Sequence, residues 1–189
     1  MGKARRLGQT LAPPPTGCIC RRPDSFHRLH CHPCSSARRR SAKKNGGDQA
    51  LGRSRGGLTT KIHAACVDEI RSVGLILSPG QNADCRHFDE LFDTLDKDNV
   101  LEASALDKGD DTNAIRDRLA EDGIEPVIPS KSNRRAKFPH DVTLYKERNR
   151  VERFFNRIKH FRRIATRYEK YESTFLAMIQ LVSAFLYIR

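Results

Sequence analysis

The sequence predicts an α/β domain preceded by a basic segment without a core. Three observations carry that prediction. Charge and aliphatic content change abruptly near Gly57. Beyond it, β-rich stretches take turns with stretches of helical spacing, the pattern of an α/β fold. Two further helical patterns then finish the chain.

The 189 residues carry a formal charge of +12, unevenly spread. Residues 1–57 hold 13 Lys and Arg against Asp24 and Asp48, whereas residues 58–189 hold 22 basic and 21 acidic groups. The first part is rich in Gly, Pro, Ser and Arg and poor in aliphatics, so burial cannot offset the entropy of ordering. Residues 1–45 are therefore expected to be disordered. The charge points to a polyanionic partner, nucleic acid above all. Of six cysteines, Cys18, Cys20, Cys31 and Cys34 crowd into the basic part, while Cys66 and Cys85 stand singly. That is no disulfide framework. No signal-peptide core follows the opening residues, and no apolar run reaches membrane-spanning length. A reducing cytoplasm is the expected location, with no membrane partner.

From Leu58, "LTTKIHAACV" and "SVGLILS" read as two strands joined through "DEIR", a hairpin. "PGQNAD" is a turn, and "CRHFDELFDTL" has helical spacing through Phe88, Leu91, Phe92 and Leu95. "NVLEASAL" reads as a short strand ending in the acidic cluster "DKGDD". A helix, "TNAIRDRLAEDG", closes at Gly123, and "IEPVIPS" is another strand before the basic loop "KSNRRAKFPHD". Helices are predicted over about Thr143 to Thr166 and Glu172 to Ile188, the last a core helix.

At about 100° per residue, Tyr145, Arg148, Glu152 and Lys159 fall within roughly 60° of one another. Val151, Phe154, Phe155, Ile158 and Phe161 form a second stripe some 120° away. Periodicity alone makes the first stripe a solvated face. The spacing Tyr, two residues, Arg, three residues, Glu, six residues, Lys resembles the Y-R-E-K signature of bacterial insertion-sequence transposases of the DDE type. "RNRVERFFNRIKHFRRIATRYEK", "DQALGRSRGGLTTKIHA" and "LDKGDDTNAIRDRL" are similar to that family's blocks, in order, over residues 46–189.

The resemblance implies a ribonuclease-H-like mixed sheet with helices, incomplete here, from residue 46 onwards. It implies DNA as partner (transposon ends and target), self-association, a bacterial nucleoid-associated location, and a two-ion Mg²⁺ or Mn²⁺ cofactor. Two divalent ions about 4 Å apart can activate a hydroxyl and stabilise the leaving oxygen of an in-line displacement. By position, Asp107 and Glu152 match the second and third catalytic, metal-binding carboxylates. Tyr145, Arg148 and Lys159 match the residues that bind transposon-end DNA, the cations through phosphates. Two departures stand out. Asp110 replaces the family's usual Tyr, so Asp110 or Asp111 could compete with Asp107, and the strand before Asp107 is a few residues longer than usual.

The family's first aspartate lies in a strand reading like "IDST.IRAH", which nothing in residues 1–45 resembles. In its place stands "HRLHCHPC", residues 27–34. Three readings apply: an out-of-frame segment, a zinc site, or an unspecific basic tail. The zinc reading is weakened by irregular spacing, Cys18-x-Cys20 and Cys31-x₂-Cys34. The frame reading is favoured by the genetic code. Permitted codons from His27 on, read one base later, spell Ile-Asp-Ser-Thr-Val-Ile-Arg-Ala-His. The return to frame would fall in the adenine-rich Lys43-Lys44-Asn45. The chain thus reads as a truncated, defective DNA transposase lacking the first aspartate and the family's N-terminal DNA-binding region. The rival is a non-enzymatic basic nucleic-acid-binding protein with an N-terminal Cys/His zinc site.

Overall fold

The computed structural model describes residues 49–55, 57–95 and 101–189, together with the backbone of the strand His27–Ser36. One mixed sheet organises it, built from β1 (His27–Ser36), β2 (Gly52–Ser54), β3 (Gly57–Cys66), β4 (Ser72–Pro79), β5 (Ala103–Ala105), β6 (Glu125–Val127) and β7 (Thr166–Arg167). β3 pairs antiparallel with β4, with β2 at its start, and with β1 on its other side. β1 continues the sheet to β5, and β5 to β6, both in parallel. A short β7 lies parallel to the far end of β1.

The expected hairpin is β3–β4. Its turn is tied by Asp68, whose Oδ1 accepts the Ile70 and Arg71 N–H groups at 2.8 Å each. Alternation along these strands feeds two cores. Ile62, Ala64, Cys66 and Leu77 join one cluster, and Ala65 and Ile76 join another across the sheet. The second cluster contains Phe88, Leu91 and Phe92 of α1 (Phe88–Asp93), which follows a 3-10 turn at Asp84–His87. It also contains Ile115 and Leu119 of α2 (Asn113–Glu121), the crossover that parallel β5 and β6 require. Thr112 caps α2 by accepting the Ile115 N–H, and Gly123 beyond its end takes φ +72°. The first cluster packs α4 (Asn149–Lys159) and α6 (Glu172–Ile188) on the opposite face.

Three expectations meet differences. The helix over Thr143 to Thr166 divides into α3 (Val142–Lys146), α4 and α5 (Arg162–Ala165). Around Glu147 and Arg148 the backbone bonds tighten to three-residue spacing, Arg148 N–H to Tyr145 and Arg150 N–H to Glu147. Phe161 takes an extended backbone and stops α4 where its ring meets Phe185. The last helix is a core helix on one side only: Phe175, Ile179 and Val182 are buried, but Leu181, Phe185 and Ile188 are exposed.

The third difference is β1, which lies inside the segment expected to lack structure; the rest of residues 1–45 lies outside the described residues. Backbone pairing explains it. Between β3 and β5 a strand satisfies two sets of amide groups whatever its residue types, and β1 pairs with β3 from Arg28↔Cys66 to Ser35↔Thr59. Pro33, which has no N–H to give, falls where β3 is its neighbour and neither β5 nor β7 reaches. The His and Cys side chains of "HRLHCHPC" lie outside the described residues, and the zinc reading with them.

Candidate active site

Asp107 follows β5 at the mouth of the sheet. Leu106 before it is fully buried and donates its N–H to Val127 O, which fixes where the next side chain emerges. Glu152 lies one turn into α4, whose buried stripe Val151, Phe154, Phe155 and Ile158 is at most 1% exposed. Burying that stripe against β3 orients the polar face of the helix towards the end of β5.

Arg148 joins the two. Its Nη1 lies 2.5 Å from Asp107 Oδ1 and its Nη2 3.0 Å from Glu152 Oε1. The reach of one planar guanidinium caps the separation of the two oxygens at about 8 Å. Nη1 also donates to Tyr145 Oη at 3.2 Å, and the guanidinium lies 5.5 Å from the Tyr145 ring centroid. Partial burial works against the charge of Arg148, but Asp107, Tyr145 and Glu152 outweigh it and raise its pKa above the ordinary arginine value. The structure thus brings together Asp107, Tyr145, Arg148 and Glu152. Lys159 lies two turns beyond Glu152 on α4, roughly 10 Å along the axis.

The other arginines of α4 do different work. Arg150 pairs with Glu147, and Arg153 and Arg157 both reach Glu69 in the β3–β4 turn. That side is a charged face holding the helix to the sheet. Arg148 spans two carboxylates from separate elements.

Asp111 does not compete with Asp107. Its side chain is fully buried, its Oδ1 2.8 Å from Arg116 Nε and its Oδ2 accepting the Lys131 N–H and Arg134 Nε. Both oxygens are committed to structure. Asp110 does stand beside Asp107, in the wall of a cavity of about 370 Å³ that His63, Cys85 and His87 also line. His63 was not legible as a site residue: it sits mid-strand in β3, 4% exposed, 2.7 Å from Ser78 Oγ and 5.0 Å from the His87 ring. Only the histidine within "TKIHA" hinted at it, and a buried histidine satisfied by a serine is ordinary core chemistry. Among the described residues Cys66 and Cys85 are free thiols, and no helix is long and apolar enough to cross a membrane.

Comparison with known proteins finds the following likenesses. A curated relative, named as a transposase for insertion sequence element IS6501 of Brucella ovis, is 33% identical over 138 residues. That match covers 70% of this chain and 100% of the relative. A chain of the Mos1 strand transfer complex is similar with a TM-score of 0.46 and 11% identity, over 87% of this chain and 53% of that one. The chain thus spans about half the length of that solved protein. The family described as the transposase DDE domain matches residues 24–187, beginning ahead of β1 and running through α6. By that match and by its identity to the insertion-sequence relative, this chain belongs to the DDE transposases of insertion sequences.

Proposed function

We propose that Asp107, Glu152, Tyr145 and Arg148 are the surviving part of a site for metal-dependent DNA cleavage and strand transfer at insertion-sequence ends, and that this copy cuts poorly. The observation that carries the reading is one guanidinium spanning two carboxylates, one after β5 and one on α4. The strand order β4-β3-β1-β5-β6, antiparallel then parallel, supports a ribonuclease-H-like assignment. It also supports counting β1 with the catalytic unit that otherwise starts near residue 46.

Hard carboxylate oxygens suit Mg²⁺ or Mn²⁺, so Asp107 and Glu152 fit such an ion in kind. They are two of the three carboxylates that the family resemblance implies. When bound, the divalent pair supplies an activated hydroxyl and a stabilised leaving oxygen. Asp107 and Glu152 would hold it. Arg148 and Tyr145 offer a guanidinium fork and a phenol to a phosphate arriving at the same place, and Lys159 adds a cation further along α4. The third carboxylate belongs on the strand beside β5. There β1 reads HRLHCHPCSS, with no Asp or Glu. Binding without efficient cutting follows.

The test is cleavage of an insertion-sequence-end duplex with Mg²⁺ or Mn²⁺. The chain as it stands should nick weakly, and the version with residues 27–42 restored to the Ile-Asp-Ser-Thr frame should nick measurably, with Glu152→Gln abolishing the gain. Robust cleavage by the unrestored chain, lost in Glu152→Gln, overturns the defective reading and keeps the site.

A further inference from the structure

We infer that the loop 131–140 is a DNA-contacting arm of this site, with Arg135 and Lys137 reaching backbone phosphates and Asp111 as the positioning residue that fixes the arm. The inference rests on the reading that the chain acts on DNA, and it names which further surface takes the duplex.

A basic loop is ordinarily a solvated charge run. This one is built. At its first foot, the fully buried Asp111 accepts the Lys131 N–H at 2.8 Å and Arg134 Nε at 3.0 Å. Arg134 also donates from both Nη atoms to Asn113 Oδ1 at 2.8 Å. Arg116, bound to the same carboxylate, donates to Ile128 O at 2.8 Å. Ser130 closes the loop on itself, its hydroxyl accepting the Phe138 N–H and donating to Phe138 O. The Phe138 ring lies 4.6 Å from the Arg116 guanidinium and 4.9 Å from that of Arg134. At the second foot, the His140 ring meets the Tyr145 ring edge-on at 5.5 Å, and Asp141 caps α3.

A solvated run has no need of a desolvated carboxylate among two guanidiniums, an arrangement that is costly unless every partner is met. Here every partner is met, and the loop is tied at both of its ends. Its tip carries Arg135 and Lys137, both exposed. One foot is held by Asp111, four residues after Asp107, and the other touches Tyr145. A duplex whose phosphate reaches Arg148 and Tyr145 therefore runs past a preset pair of cations. Burial opposes the charge of Asp111, but the Lys131 N–H and the Arg134 and Arg116 guanidiniums outweigh it and lower its pKa to about 2. The clamp is thus ionised at any pH at which DNA binding is measured.

The experiment is the salt dependence of binding to a mixed-sequence duplex, read by anisotropy with chelator present so that cutting plays no part. Each phosphate contact contributes about one to the log–log salt slope. The Arg135→Ala/Lys137→Ala chain should lose about one to two from that slope and bind about tenfold more weakly at moderate salt. The Arg162→Ala/Lys170→Ala chain, altered beyond the opposite end of α4, should keep the wild-type slope. Asp111→Asn removes a negative charge, which by net charge alone tightens DNA binding; loss of the clamp weakens it instead, with secondary structure retained. An unchanged slope in the loop variant, an equal loss in the Arg162→Ala/Lys170→Ala variant, or tighter binding by folded Asp111→Asn overturns the inference. Failure of the wild-type chain to bind any duplex overturns the functional reading itself, a result distinct from all of these.

Discussion

Arg148 Nη1 lies 2.5 Å from Asp107 Oδ1, and the same guanidinium also grips Glu152. A cation of the chain itself therefore balances the two carboxylates that would hold a divalent ion. Arginine stays protonated throughout the working pH range, and this one is held more firmly so by Asp107. On the proposed reading the same group would also meet a phosphate when DNA arrives. Metal and guanidinium would then compete for the carboxylates, and carboxylates and phosphate for the guanidinium.

The first prediction follows from that competition. Side-chain exposures of 33% for Arg148, 31% for Asp107 and 44% for Glu152 mean solvent screens the pairs, so their hold is about 1 kcal/mol. Arg148→Gln should therefore bind Mn²⁺ about fivefold more tightly in the absence of DNA, read by titration calorimetry, while binding duplex DNA more weakly. Unchanged Mn²⁺ affinity in a folded variant counts against the competition.

The second prediction concerns acid. Asp111 has a folded pKa of about 2 against an ordinary 3.8. A depressed carboxylate stabilises the fold above its unfolded pKa, and that contribution is lost as pH falls from about 4 through about 2. It is worth about 2 kcal/mol at neutral pH. Asp111→Asn should lose roughly that stability at pH 7, and its melts should fall less steeply than wild type between pH 4 and 2. Parallel pH profiles for the two chains would show that Asp111 carries no such linkage.

Some of this was legible in the sequence, for reasons that differ by element. Phe88, Leu91 and Phe92 are spaced for a helix and bury together, so α1 could be read directly. The two-stripe wheel was also sound within α4, because the buried stripe Val151 to Ile158 pins the helix rotation and leaves Arg148 and Glu152 on one side. Tyr145 falls on α3, and Phe161 beyond the end of α4. The wheel could not show that Arg148 would bridge to Asp107, forty-one positions away. Arg167 was illegible for the opposite reason. An arginine reads as surface, yet it is 1% exposed and binds Thr60 Oγ1 and Ala50 O from β7. β1 was missed because His, Cys and Pro carry no strand signal. Its place in the sheet comes from the unpaired backbone of β3 and β5.

That mismatch gives the last prediction. In β1, the register sets Arg28 opposite Ala105, two residues before Asp107. Read one base later, the codons put aspartate level with Arg28, and threonine, valine and isoleucine level with His30, Cys31 and His32. Pro33 becomes arginine, which frees the fixed φ of proline and restores a backbone N–H to β1. β-Branched residues fit a pleated surface covered by helices better than His and Cys do. The restored chain should therefore be more stable than the present one, by on the order of 1–3 kcal/mol, before any metal or DNA is added. Added Mn²⁺ should then raise its melting temperature further, since a third carboxylate completes the ion site, and should barely move the present chain. Restoring the frame but with asparagine in place of the new aspartate separates the two effects: stability rises, and the Mn²⁺ shift disappears. If the restored chain melts no higher than the present one, the segment is not an out-of-frame strand. If it melts higher yet shows no Mn²⁺ shift, the strand is right and the metal site is wrong.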